Sequence, residues 1–223
     1  ELVIDAVRTA LSADYEPTDK AIQNYYDTYL DIQKSYMERD LSYYDYYTSE
    51  SVNLYMPAGF RYVKNLLIAI PDSVQEEIAS LRADGKDAEA DALRDQELSK
   101  IAAKAQGIYV RIQNGESYDE LLAAYGDDPG MKAGAENAET GYGSKSYEDN
   151  FKEAAMGLAN VGDVSQPVGS DYGYYIIRYV GDSVEQEIPV EQVRDKIRAI
   201  LIKEKATEYY EEIYENWKRQ AKI

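Results

Sequence analysis

VSQPVGSDYGYYIIRYV, residues 164–180, is the stretch on which the fold turns. The run from Tyr174 to Val180 is β-branched and aromatic, the composition of a strand that packs on a pleated surface. Ser170 to Gly173, SDYG, is turn chemistry, and Gly173 stands just ahead of the Tyr-Ile run. Two short strands joined at SDYG are therefore predicted, the second entered through the turn with two tyrosines at its mouth.

Working outward, Phe151 to Leu158 reads as one or two helical turns. Gly126 to Gly143 is rich in Gly, Ala, Asp and Asn and reads as loop, and Ser117 starts a short helix through Leu121 and Leu122 to Tyr125. RYVKNLLIAI, residues 61–70, is an apolar run closed by Pro71 and reads as a buried strand. Ser73 and Glu76 have capping-box spacing, with Val74, Ile78 and Leu81 on one face until ADGK, residues 83–86, makes a turn. Ala90, Leu93, Leu98, Ile101, Ala105, Ile108 and Ile112 then mark a helix from Asp87 to Asn114, closed by Gly115, so a helical hairpin follows the strand.

Both ends of the chain read as helical. Leu2, Ile4, Val7 and Leu11 mark a first short helix, and Thr18 is placed to cap a second. In that second helix Ile22, Tyr25, Tyr29, Ile32 and Tyr36 form a mostly aromatic stripe, and SYYDYYTSES, residues 42–51, is expected to end it. After Pro189 the positions Val193, Ile197, Ile200, Leu201, Tyr209, Ile213 and Trp217 mark a long amphipathic helix.

The 223 residues suffice for one sizeable domain with extensions or two small ones, and 44% apolar content fills a core. Lys and Arg number 24 against 42 Asp and Glu, a net charge of -18, which repels nucleic acid and anionic lipid. With no cysteine and no histidine, disulfides, thiol nucleophiles and imidazole-based metal or acid-base chemistry drop out. Absence of cysteine suits an extracytoplasmic protein. The acidic loop from Asp127 to Thr140 lacks the alternating ligand spacing of a calcium loop, so neither a metal nor a cofactor is expected. No apolar run approaches the ~18 residues that span a bilayer, and no signal-peptide pattern is present. Twenty-three tyrosines stand against two phenylalanines and one tryptophan; they serve either as amphipathic core and boundary residues or as a peptide-binding surface.

Four segments, taken in order, resemble the parvulin-type peptidyl-prolyl isomerase domain over roughly residues 61–180. NLLIAI (65–70) resembles the family's first strand, HILV. NGESYDELLAAYGDDPG (114–130) resembles its G-x-x-F-x-x-L-A-x-x-x-S-x-D helix and loop, and AETGYG (138–143) its G-D-L-G-x-F turn. FKEAAMGLANVGDVSQPVGSDYGYYII (151–177) resembles F-x-x-A-x-x-x-L-x-x-G-x-x-S-x-P-V-x-T-x-x-G-Y-H-I-I. With helices on both sides, the chain resembles bacterial extracytoplasmic foldases of the PrsA and SurA kind.

The resemblance implies an α+β fold: a small, mostly antiparallel sheet with surrounding helices over residues 61–182, interrupted by an inserted hairpin at about 73–98. Residues 1–60 and 183–223 would assemble a helical, chaperone-like module from both chain ends, the last helix packing on the first. It also implies a receptacle for a proline ring. Phe151 would be its aromatic floor, with Tyr147 and Met156 as further apolar walls, and Asp128 would stand beside the client carbonyl. The family's two hydrogen-bonded histidines fall on Asn65 and Tyr175, and Tyr172 replaces a small hydroxyl. Neither Asn65 nor Tyr175 titrates near neutral pH, yet both can hydrogen-bond.

Three roles follow. The chain is a foldase that binds extended, proline-containing, unfolded or partly folded client polypeptides, with isomerase activity weak or lost; or a non-enzymatic holdase on a parvulin scaffold; or an assembly protein that forms a homodimer through its aromatic stripes. The resemblance further implies an extracytoplasmic, cell-surface or membrane-anchored location through a lipid outside these residues.

Overall fold

A computed structural model describes residues 7, 10, 12–132, 137–141 and 143–221. The first short helix expected from Leu2, Ile4 and Leu11 lies outside the described residues, as does Tyr142. The chain divides into two compact units, Glu1–Pro57 with Glu185–Ile223, and Ala58–Val184. It is an α+β protein.

The first unit is built on α1 (Asp19–Arg39), whose N-cap Thr18 accepts a hydrogen bond from the Ala21 amide at 3.2 Å. The buried face of α1 is Ile22, Tyr26, Leu30, Gln33 and Met37. It is not the predicted aromatic stripe: beyond Ile22 that stripe lies one residue aside, and Tyr29, Ile32 and Tyr36 are exposed. Gln33 is the reason the pattern misleads. Its amide donates to the Val52 carbonyl at 2.8 Å and accepts from the Leu54 amide at 2.9 Å, so a polar side chain is fully buried where an apolar one is expected. The displaced tyrosines pair on the flank instead, Tyr25 with Tyr29 at 4.3 Å and Tyr36 with Tyr43 at 4.8 Å between ring centres.

SYYDYYTSES does not end a helix either. It forms its own, α2 (Ser42–Glu50), after α1 stops at the extended residue Asp40. Strands β1 (Tyr55–Met56) and, from the far end of the chain, β6 (Gln186–Glu187) pair antiparallel, and the Tyr26 hydroxyl donates to the Ile188 carbonyl at 2.8 Å. Helix α8 (Val190–Ala221) buries Val193, Ile197 and Ala206. Its end departs from the expected stripe, since Trp217 is exposed.

The second unit holds a four-stranded antiparallel sheet in the order β3 (Ala138–Thr140), β2 (Arg61–Ala69), β5 (Gly173–Asp182), β4 (Val168–Ser170). Its long central pair is β2 (Arg61–Ala69) and β5 (Gly173–Asp182), in a register that sets Leu67 opposite Tyr175 and Ala69 opposite Gly173. Because side chains alternate, the two strands offer two buried faces. Val63, Leu67, Tyr175 and Ile177 pack on Phe151 and Ala155 of α7 (Asp149–Gly157). Leu66, Ile68 and Ile176 pack on Ala105 and Ile108 of α4 (Asp87–Gln113) and Leu121 of α5 (Tyr118–Tyr125). Burial on both faces explains why these segments are continuous apolar runs.

Helix α3 (Asp72–Ala83) and α4 form the helical hairpin, turning at Gly85 with φ of 72°. Ile70, Ile78, Ala90 and Leu98 give it a small core of its own. The Ser73–Glu76 capping box is not made: the helix starts two residues earlier, with Pro71 as N-cap, and the Pro71 carbonyl accepts from Val74 and Gln75. The second helix of the hairpin, α4, runs unbroken past Leu98 to Gln113. The segment read as loop contains a four-residue helix, α6 (Pro129–Lys132), and strand β3 (Ala138–Thr140), which pairs with Arg61–Val63 of β2. Three residues of strand carry too little period to be seen in sequence.

The turn between β4 (Val168–Ser170) and β5 depends on Gly173. Its φ is 142°, and a Cβ there would sit 2.1 Å from the Ile68 carbonyl oxygen. The Ser170 hydroxyl accepts from the amides of Tyr172 and Gly173 and closes the turn.

Candidate functional site

Helix α7 carries Phe151 to the sheet because Phe151 and Ala155, one turn apart, share its inner face. Arg61 fixes the C-terminal end of that helix. Its guanidinium donates to the carbonyls of Ala155 (2.9 Å), Met156 (3.2 Å) and Leu158 (2.7 Å), stacks on the Tyr179 ring and pairs with Asp182. Phe151 is thus held with its ring 1% exposed. Tyr147 lies flat on it, with ring centres 4.4 Å apart and planes 13° apart, and Tyr175 meets it edge-on at 5.0 Å and 83°.

These rings, with Tyr172 half exposed at the rim and Lys145, Ser146 and Glu148 on the wall, line a cleft of about 390 Å³. Met156 is not among them. It sits one position off the inner face of α7; Met131 of α6 packs against the Phe151 cluster but lines the neighbouring cavity and not this cleft. Met131 is hidden from sequence reading in a Gly-rich segment whose conformation only β2 imposes.

Asp128 is placed by its neighbour. The Asp127 amide donates to the Leu67 carbonyl at 2.8 Å, and the Asp127 carboxylate accepts from the Ala69 amide at 3.2 Å. These bonds dock the loop on the edge of β2 that β3 leaves uncovered. Asp128 then accepts from the Met131 amide through Oδ1 and from Asn65 Nδ2 through Oδ2, both at 2.9 Å. Asn65 is 1% exposed, and among the described residues its Oδ1 has no partner.

So Asn65 pairs with Asp128 and not with Tyr175, the position that shares its face of the sheet. The Tyr175 hydroxyl itself makes no hydrogen bond among the described residues, although the residue lines the cleft. Burial pushes its phenol well above the ordinary tyrosine range, and the charges of Asp128 and Glu148 push it the same way. It is a neutral donor at any physiological pH. Asp128 and Met131 open onto a second cavity of about 290 Å³, shared with Leu122 and Gly126. The arrangement therefore offers an aromatic cup, one unengaged phenol and a carboxylate fixed at two points.

Among the described residues no group of three or more carboxylates is placed to hold a metal ion, and no helix is long and apolar enough to cross a membrane.

Residues 71–181 match the Rotamase family, the PPIC-type PPIASE domain. Among curated proteins the chain is 34% identical over 114 residues to Chaperone SurA of Ralstonia nicotianae, a match that covers 51% of this chain and 21% of that protein. It is 30% identical over 130 residues to Foldase protein PrsA of Clostridium botulinum, covering 56% of this chain and 38% of that one. The chain thus spans well under half the length of these relatives. A solved structure of PrsA from Bacillus anthracis, 17% identical, aligns over 99% of this chain and 71% of its own with a TM-score of 0.36. Through the segment that carries the helical hairpin, the cleft and the strands β3, β4 and β5, the chain belongs to the PPIC-type, or parvulin, family of peptidyl-prolyl isomerase domains.

Proposed function

We propose that the aromatic cleft receives a proline ring of an extended client polypeptide and that the domain accelerates rotation about the Xaa-Pro amide, as part of an extracytoplasmic foldase. That rotation faces a barrier of roughly 18–20 kcal/mol and makes or breaks no bond. The site need only bind the twisted amide better than either planar form. Loss of the family's imidazoles does not remove this capacity. Phe151, Tyr147 and Tyr175 supply an apolar cup, and the protonated Tyr175 hydroxyl is a donor for the carbonyl or nitrogen of the twisted amide. Asp128, tethered by Asn65, contributes a fixed charge.

The observation that carries this reading is the unengaged Tyr175 hydroxyl on the wall of a cleft floored by Phe151. The family match supports the chemistry, and the SurA and PrsA relatives together with a chain lacking cysteine support the location and the clients.

Exchange spectroscopy on a short Ala-Pro peptide tests it. Added protein is expected to shorten the tens-of-seconds exchange, and Tyr175→Phe is expected to remove most of the gain. No acceleration at high protein concentration overturns isomerase activity. A holdase reading then takes its place, favoured by one observation: Tyr147 already covers a face of Phe151. In that case the peptide binds without faster exchange, and client binding shifts to the tyrosine-rich helical unit.

A further inference from the structure

Glu148 lines the cleft beside Tyr147, Phe151 and Tyr175. It occupies the N-cap position of α7 but does not cap the helix. Its Oε1 accepts instead from the Asp171 amide at 3.1 Å, across to the β4–β5 turn. Among the described residues it has no ion-pair partner, and burial raises its carboxyl above the usual range.

The cations near it are committed elsewhere. Arg82 of α3 grips Asp171 with two bonds of 3.0 Å and also holds Asp91 at 2.7 Å and Asp87 at 3.3 Å. Arg94 of α4 binds Asp91 at 2.8 Å and Asp95 at 2.9 Å. Two guanidiniums therefore face four carboxylates before Glu148 is counted. Lys145, also on the cleft wall, stands exposed in solvent, where screening weakens it, whereas Glu148 is half buried. The hairpin thus does more than fill space: through Arg82 and Asp171 it fixes the turn whose amide orients Glu148.

We propose that Glu148 selects the residue flanking the client proline and that it favours a cation there, so the cleft takes Lys-Pro and Arg-Pro sequences ahead of Glu-Pro ones. Arg82 is a positioning residue in this selection, acting through Asp171. The proposal rests on the reading of the cleft as a proline-peptide site. A client ammonium or guanidinium supplies the charge-assisted partner that Glu148 lacks, and a client carboxylate meets both Glu148 and the chain's net charge of -18.

The test compares two peptides identical except for Lys-Pro or Glu-Pro, by exchange rate and by chemical-shift titration for affinity. The intact protein is expected to favour Lys-Pro by about tenfold, the scale of one charge-assisted contact. Glu148→Gln should bring the ratio close to one, and Glu148→Asp should restore part of it. Arg82→Gln should lower the ratio in the intact protein and leave it unchanged in a Glu148→Gln background, an outcome that mere destabilisation does not produce. Equal handling of both peptides, or a preference that survives Glu148→Gln, overturns the proposal while leaving the cleft assignment standing. If neither peptide binds, the cleft assignment itself falls, and this inference with it.

Discussion

Asn65 Nδ2 and Asp128 Oδ2 lie 2.9 Å apart, joining the middle of a buried strand to a loop 63 residues further along the chain. The bond ties a carboxylate at the site to a side chain that cannot change its charge. Unlike an imidazole, Asn65 holds Asp128 identically across the physiological pH range.

Replacing Asn65 separates two effects. Asn65→Leu removes a donor and the bare Oδ1 acceptor together, so stability should change by no more than about 1 kcal/mol while peptide exchange slows. Asn65→Asp sets a second, buried carboxylate against Asp128 and should cost about 3 kcal/mol at neutral pH. Urea unfolding of both variants measures the contrast.

Gly173 and Gly107 should respond oppositely to alanine. At Gly173 the backbone φ of 142°, and an Ile68 carbonyl oxygen 2.1 Å from where a Cβ would stand, forbid the side chain, and Gly173→Ala should cost roughly 2–4 kcal/mol. Gly107 lies inside α4 with nothing within 4 Å of its Cβ position, and Gly107→Ala should stabilise by up to about 1 kcal/mol. Thermal melts read both.

Met131 and Met156 divide the same way at the Phe151 cluster. Met131 packs on the Phe151 cluster and Met156 does not. Met131→Ala should weaken proline-peptide binding several-fold, and Met156→Ala should leave it unchanged. Titration with an Ala-Pro peptide followed by NMR decides between them.

Acid should loosen the second unit. The Lys64 ammonium beside Asp119 and the Arg82 guanidinium beside Asp91 hold those carboxyls below the usual range, and the Tyr179 hydroxyl with Arg61 does so for Asp182. Depressed folded-state values mean stabilisation that is present above the unfolded carboxylate range, near pH 4, and lost as pH falls through the depressed values. Glu148 has the opposite sign: raised by burial, its contribution is present below the unfolded value and lost as pH rises through the folded one. The depressed carboxyls outnumber the raised one, which predicts a melting temperature that drops below about pH 4. Melts between neutral pH and pH 2 check the direction, and added salt should shrink the drop.

Much of this architecture is legible in the chain because its signals are local. The apolar runs of β2 and β5, the SDYG turn, the Thr18 cap and the Gly115 stop each follow from a few adjacent residues. Phe151 as a cleft floor is implied by the parvulin resemblance and not by the local pattern; its spacing to Ala155, one helical turn, puts the two on one face of α7. What misled was amphipathic: tyrosine satisfies either an apolar stripe or a wet flank, and Gln33 is apolar by position while polar by chemistry. In α1 the choice between two stripes one residue apart is made by the Val52 carbonyl and the Leu54 amide, which the periodicity of α1 does not contain.

The sequence by itself determined the two long central strands, the turn between β4 and β5 and the main helices, because period and turn chemistry act over a few residues. Only the tertiary structure decided that Asn65 bonds Asp128 rather than Tyr175, that Met131 packs on the Phe151 cluster, and that Arg82 holds Asp171, 89 residues away. A hydrogen bond or ion pair goes to whichever partner folding brings within about 3 Å, and that distance is set by the packing of the whole unit.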